Sequence, residues 1–154
     1  MDGILFHVSY KLTIDLVWNI KAVVIDCQSD SSFKISLKKK NHQWFNEKGE
    51  LLSQFNDCTD IDISITPFTN SLAINRSDLP VGSLKEDTVL YINLPTRECK
   101  SVKQRYTNLG GRIYRYENLD SGFTSNIEVD EDGYVVNYLG IWCRVFPGAL
   151  KKND

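Results

Sequence analysis

Asp57, Asp60 and Asp62 come nearest to acid–base chemistry by type and spacing. Carboxylates held together can have their proton affinities driven apart, one becoming an acid and the other a base. Asp60 and Asp62 alternate with Ile61, Ile63 and Ile65, so on a strand they point to one side. Solvent exposure is the plain expectation for that side. In a curved sheet with a partly polar inner face, they would line a cavity instead. A second group lies further along. Tyr106, Tyr114, Tyr116, Tyr134 and Tyr138 gather with Gln104, Arg112 and Arg115. Tyrosine joins apolar area to a hydroxyl, which suits both cores and ligand pockets. Cross-strand packing accounts for the cluster, and a pocket or partner surface is the other reading.

The remaining candidates carry less. Asp130-Glu131-Asp132-Gly133 begins like a calcium loop but lacks the later bidentate glutamate and has strand patterns on both sides. A hairpin turn explains it. His7 is isolated, and His42 stands beside Trp44 with no nearby nucleophile. No nucleophile elbow, phosphate loop or dinucleotide fingerprint occurs. Cys27, Cys58, Cys99 and Cys143 are too far apart for a C-x-x-C pair, and two histidines do not complete a zinc set. All four cysteines are expected as small buried hydrophobes. The expectation is therefore no catalytic residue, no metal site and no cofactor.

These residues need strands to position them. Val8, Tyr10, Leu12, Ile14 and Leu16 alternate with polar residues, giving a strand with one buried side that ends near Trp18-Asn19. Ile20 to Cys27 is apolar on both parities, as in a central strand. Phe33, Ile35 and Leu37 mark a third strand. His42 to Phe45 and Leu51-Leu52 flank a turn closed by Gly49. Asp60 to Ile65 is a strand that stops at Thr66-Pro67, a helix-start signal. Pro67 to about Ala73 reads as a short helix with Phe68 and Leu72 on one face, and Asp78 to Lys85 as loop. Strand patterns follow over 88–94, 98–106, 114–117, 123–129, 134–138 and 141–146, with turns at 108–111 and 130–133. About ten short strands and one helix predict an all-β single domain built on a curved antiparallel sheet or barrel.

At 154 residues, with 42% hydrophobic and 25% charged residues, the chain suits one globular domain. Only the tail 151–154 reads as disordered. The formal net charge of -2 argues against nucleic acid. Lys38-Lys39-Lys40 is the main basic cluster. It reads as a solvated loop entering a turn at Asn41, with a phosphate or anionic-lipid contact as the alternative. No apolar run reaches membrane-spanning length. The start Met1-Asp2-Gly3 lacks the features of a leader. A cytoplasmic protein without membrane insertion is expected.

Two long segments carry a family likeness: His42 to Gly82 and Gln104 to Arg144. The elements TPFTNSLAI, QRYTNLG, YRYE, VDEDGYVVNY and GIWCR together resemble the glycolipid-binding family, also catalogued as a domain of unknown function and found widely in bacteria. A weaker match covers Ser9 to Val24. The resemblance implies a spiral β-roll, a long antiparallel sheet wound round one helix, here Pro67 to Ala73, and a homodimer. It also implies non-enzymatic binding of a glycolipid or another amphiphile. Similar proteins often have more sequence ahead of the part matching Ser9, which could supply a further edge strand. Judged by side-chain chemistry, Arg76, Gln104, Tyr106 and Tyr116 could meet the polar head of such a ligand. The alternatives are a ligand-free structural or interaction dimer, and an enzyme using Asp62 with Tyr or Arg side chains. A lipocalin is a lesser alternative: Gly140-Ile141-Trp142 matches its G-x-W, at the wrong end of the chain.

Overall fold

Alternating apolar and polar residues build two sheets, and a computed structural model describes residues 5–145. The first sheet is β1 (His7–Ile14), β2 (Ile20–Gln28), β3 (Phe33–Lys40) and β4 (Gln43–Phe45), in that order and antiparallel throughout. A single 3-10 turn, Ser53–Phe55, leads to β5 (Asp60–Ile63), the helix α1 (Phe68–Ser77), β6 (Leu84–Asn93) and β7 (Glu98–Gly110). The second sheet is completed by β8 (Ile113–Asn118), β9 (Thr124–Val129), β10 (Val135–Tyr138) and β11 (Trp142–Cys143). Its order is β11-β10-β9-β8-β7-β6-β5. The curled strands form a half-barrel around α1, so the all-β roll around one helix stands. One pair departs from antiparallel: β5 and β6 run parallel. The helix lies between them in sequence, and only a crossover of that kind can return a strand in the same direction.

The helix begins one residue later than expected, at Phe68, with Pro67 as its N-cap. Pro67 holds φ at -78°, and the Phe68 N–H donates to Thr66 Oγ1 at 3.3 Å. It runs to Ser77, four residues past the expected end at Ala73, because Asn75, Arg76 and Ser77 break the apolar spacing without breaking the helix. Asp78, in the left-handed region at φ 43°, ends it by donating its N–H to the Ile74 carbonyl. Thr69 to Ile74 are six consecutive buried residues, so the helix is covered on every side. On one side Leu72 joins Val23, Ile25, Leu37 and Trp44 of the first sheet with Ile61, Ile63, Leu90 and Ile92 of the second. On the other, Ala73 and Ile74 join Tyr106, Tyr116, Ile127, Val129 and Tyr138. Each fully buried aliphatic side chain contributes roughly 1.5–3 kcal/mol. The buried Trp44 indole donates to the Cys58 carbonyl at 3.0 Å, tying β4 to the chain entering β5.

The turn 130–133 is a hairpin turn, as expected, and it also docks the helix. Gly133 is buried at φ 78°, and a Cβ there would run into the Asn75 side chain. Asn75 Nδ2 donates to the Asp132 carbonyl at 3.1 Å.

Several local expectations change. Lys38, Lys39 and Lys40 belong to β3 and not to a loop; a charged run remains a strand where the opposite sheet face is buried. Leu16 lies in the turn after β1 and is fully exposed. β6 starts at Leu84 and β7 continues to Gly110, because long cross-strand pairing carries both through polar residues. The next turn falls at 111–112. Only Cys27 and Cys58 are buried; Cys99 is half-buried and Cys143 exposed on the edge strand β11. Phe146 and the tail 151–154 lie outside the described residues.

Candidate binding cavity

Strand register collects the polar residues. In the second sheet Asp62, Tyr91 and Lys100 form one cross-strand row, Asp87, Gln104 and Asn118 another, and Lys85, Tyr106 and Tyr116 a third. Partners directly opposite in adjacent strands share a face, so these rows and Asp60 lie on one side of the sheet. The other parity holds Ile61, Ile63, Leu90 and Ile92, whose packing on the first sheet fixes the register.

The helix meets this polar side at two points. Thr69 Oγ1 donates to Asp62 Oδ1 at 3.0 Å. Two turns later Arg76 reaches Asp60 (Nη1–Oδ2, 3.5 Å) and Asp87 (Nη2–Oδ2, 3.0 Å). Lys85 adds a 3.6 Å contact to Asp87. Asp60 is 1% exposed and accepts the Ile61 N–H at 3.0 Å. Burial pushes its pKa up to about 6, against the pull of Arg76. Lys39 points inward from β3, donates to the Thr59 carbonyl and has its pKa lowered by burial. Asp60 Oδ2 and Arg76 Nε have no hydrogen-bond partner among the described residues. Salt bridging in so enclosed a place fixes geometry more than it adds stability.

Asp62 has different company. Gln104 Nε2 donates to Asp62 Oδ2 at 2.6 Å and to the Tyr116 hydroxyl at 2.9 Å. Asn70 Nδ2 donates to the Tyr106 hydroxyl at 2.8 Å. Burial raises the Asp62 pKa, because these neutral donors do not offset the lost hydration. The Tyr106, Tyr116 and Tyr138 hydroxyls are likewise pushed above their ordinary value by burial, with the Asp62 charge adding to it. All three stay protonated at neutral pH.

A cavity of about 310 Å³ opens against this group. Asp62, Asn70, Tyr116 and Tyr138 line it, with Ser64, Asn118 and Ser121 adding further polar groups. Tyr91, with the Lys100 ammonium 5.8 Å from its ring centre, forms another part of the wall. Phe123, Ile141 and Trp142 also line it and are 43%, 49% and 39% exposed, which makes them an apolar rim.

The structure thus splits the four candidate residues. Tyr116 lines the cavity. Gln104 and Tyr106 stand one step behind, holding Asp62 and Asn70 through hydrogen bonds. Arg76 belongs to the sealed Asp60–Asp87 group and does not line the cavity. The expected solvent exposure of Asp60 and Asp62 is overturned: the first is buried and the second half-buried at the cavity. The helix supplies the reason, since it covers the polar side of β5. Asp57, outside the strand, is exposed. Core packing holds for Tyr106, Tyr116 and Tyr138, whereas Tyr114 is half-buried, and Tyr134, Arg112 and Arg115 are exposed. Thr69 and Asn70 were legible only as helix residues; the signal in them is polar residues on the one helix that the sheet encloses.

A family model described as "Putative glycolipid-binding" matches residues 2–144. The chain belongs to this family. The fold agrees with the crystal structure of a DUF1089 family protein from Pseudomonas aeruginosa, at 36% identity and a TM-score of 0.90 over 94% of this chain and 80% of that one. None of the curated proteins matches the chain. The cavity presents polar and apolar groups together. Among the described residues no helix is long and apolar enough to cross a membrane, and no group of three or more His, Cys, Asp or Glu is placed to hold a metal.

Proposed function

We propose that this family member is a non-enzymatic binding protein for an amphiphile, with a neutral, hydroxyl-bearing head in the cavity and an apolar chain over Phe123, Ile141 and Trp142. One observation carries the reading: Asp62 is fixed by Thr69 and Gln104 yet still faces the cavity. A carboxylate held this way is an acceptor with spare lone pairs in a desolvated place, and a ligand hydroxyl donating to it restores what burial removed. An anionic head would be repelled by Asp62 in its ionised form, against which the lining Lys100 is the counter-charge. The Tyr116, Asn70, Asn118 and Ser121 groups add donors and acceptors of the kind a sugar ring uses. The volume lies at the low end of small-molecule sites, roughly 300–1,000 Å³, so it suits one head group with the chain left outside. The family's description as glycolipid-binding supports the same ligand class.

Native mass spectrometry of gently purified protein, followed by calorimetry with an alkyl glucoside, tests the reading. A bound amphiphile, and glucoside binding that Asp62→Asn weakens about tenfold, is the expected result. Repeated absence of any bound lipid, with no thermal shift across a lipid panel, would overturn it.

A second reading has its own observation. Leu139 and Ile141 in the turn before the edge strand β11, Trp142 within it and Val145 just after it make an exposed apolar strip of chain, with Leu139 and Val145 64% and 84% exposed. Edge strands need cover, and a second copy would supply it in a homodimer. If light scattering shows a dimer that Trp142→Asp dissolves while no lipid binds, the strip is an assembly surface and the ligand reading falls.

A further inference from the structure

The outer face of the first sheet is basic. Buried Val23, Ile25 and Leu37 define its inner side, so residues of the other parity point outward. Register then sets Thr13, Ala22, Lys38 and Phe45 in one outward row, Lys11, Val24 and Ser36 in the next, and Ser9, Asp26 and Lys34 in the third. Lys40 stands outward opposite Gln43. Lys11, Lys34, Lys38 and Lys40 are all exposed, and none makes an ion pair among the described residues. Asp26 is the acid set among them. A groove of about 590 Å³ runs along this face, lined by Lys21, Lys38, Lys40 and Phe45 among others, with Glu47 also lining it. Lys21 is already paired with Asp15 at 3.2 Å.

The contrast with the second sheet is informative. There Arg105 is paired with both Glu86 and Glu117, which neutralises the exposed face locally. Residues 7–45 hold six lysines against three aspartates, while the whole chain has 18 basic and 20 acidic residues. Positive charge is therefore concentrated on one sheet of an acidic protein. Unpaired lysines on an open strand face resist edge and face aggregation, but solubility does not require one sign to be gathered in one place.

We infer that this lysine face docks the protein on an anionic bilayer surface. Its pattern suits lipid head groups: four ammonium groups on β1 and β3, with Ala22, Val24 and Phe45 between them and, in these outward rows, no second aromatic to make a stacking platform for bases. The inference rests on the binding function proposed above to the extent that an amphiphile must be collected from, or delivered to, a membrane. The charge argument stands by itself.

Flotation with phosphatidylserine in phosphatidylcholine vesicles, at roughly one part in three, against pure phosphatidylcholine vesicles tests it. The protein is expected to float with the anionic vesicles only, and to leave them as salt approaches about 0.5 M. Each lysine lost should weaken partition about fivefold, so Lys11→Gln, Lys34→Gln, Lys38→Gln and Lys40→Gln together should cost at least about a hundredfold. Lys103→Gln with Arg115→Gln, exposed on the second sheet, should change partition little. The fourfold variant should melt as the parent does and still take up an alkyl glucoside, which separates failure of docking from failure of the cavity. Equal flotation with neutral vesicles, an undiminished fourfold variant, or tighter binding to single-stranded nucleic acid than to anionic vesicles would overturn the proposal.

Discussion

Asp60 and Asp62 stand two residues apart on one face of one strand, and their surroundings are opposites. Asp60 is sealed against Arg76, which also holds Asp87, with Lys39 and Lys85 close by. Asp62 is held by two neutral donors, Thr69 and Gln104, and opens on a cavity. Burial raises the pKa of both. The difference is in what compensates the charge. Asp60 faces a full counter-charge in a closed place, although its Oδ2 lacks a hydrogen-bond partner among the described residues. Neutral donors leave Asp62 short of hydration, and that shortfall is what an incoming hydroxyl can relieve. A shifted carboxylate is thus an ambiguous sign of function until its partners are known.

The largest effect should come from breaking the sealed side. Arg76→Leu strands Asp60 and Asp87, and should cost roughly 3–5 kcal/mol in urea unfolding at pH 7.5. Loss at that level with glucoside affinity retained in the folded fraction would confirm that Arg76 serves structure; selective loss of binding would return it to the site. Asp62→Asn comes next. It preserves shape and removes the charge, so stability should shift by less than about 1 kcal/mol while glucoside affinity falls about tenfold, roughly 1.4 kcal/mol. Equal damage to both properties would erase the contrast between the two aspartates.

The third test uses pH. The Asp60 pKa is raised in the folded state, so the folded protein takes up a proton that the unfolded chain does not until the pH is lower. Stability should therefore rise as pH falls through about 6. The Asp60 share of the gain between pH 7.5 and 5 is expected near 1 kcal/mol, and Asp60→Asn should lose that share while keeping what Asp62 adds. An unchanged slope in that variant would assign the titration elsewhere. As pH falls through the raised Asp62 pKa, glucoside binding should weaken, because protonation takes an acceptor from that carboxylate. Tyr116→Phe should be the mildest change, a few-fold loss of affinity and about 1 kcal/mol of stability, since Gln104 keeps its bond to Asp62.

Much of this architecture was legible because it is local. An apolar run on both parities marked Ile20 to Cys27, period-two alternation marked Phe33 to Leu37, Thr66-Pro67 announced the helix, and Gly49 and Gly133 punctuated turns at positive φ. The strand pattern over 114–117 puts Tyr114 and Tyr116 on one face, and β8 has them there. The site was legible only in fragments. Gln104, Tyr106 and Tyr116 converge, but nothing in their spacing reveals that Asp62 and Asn70 complete the group from 42 and 36 residues away. Arg76 failed as a candidate for the same reason: its guanidinium looks equally available to a ligand or to a carboxylate until a partner is seen.

By itself the sequence determined the strands, the one helix and the side of each strand that is apolar, because these depend on neighbours a few residues apart. Only the tertiary structure decided which aspartate is closed and which is open. That choice depends on the helix crossing the polar side of β5 so that Thr69 meets one carboxylate and Arg76 the other, a long-range placement that fixes which charge is cancelled and which is left facing a cavity.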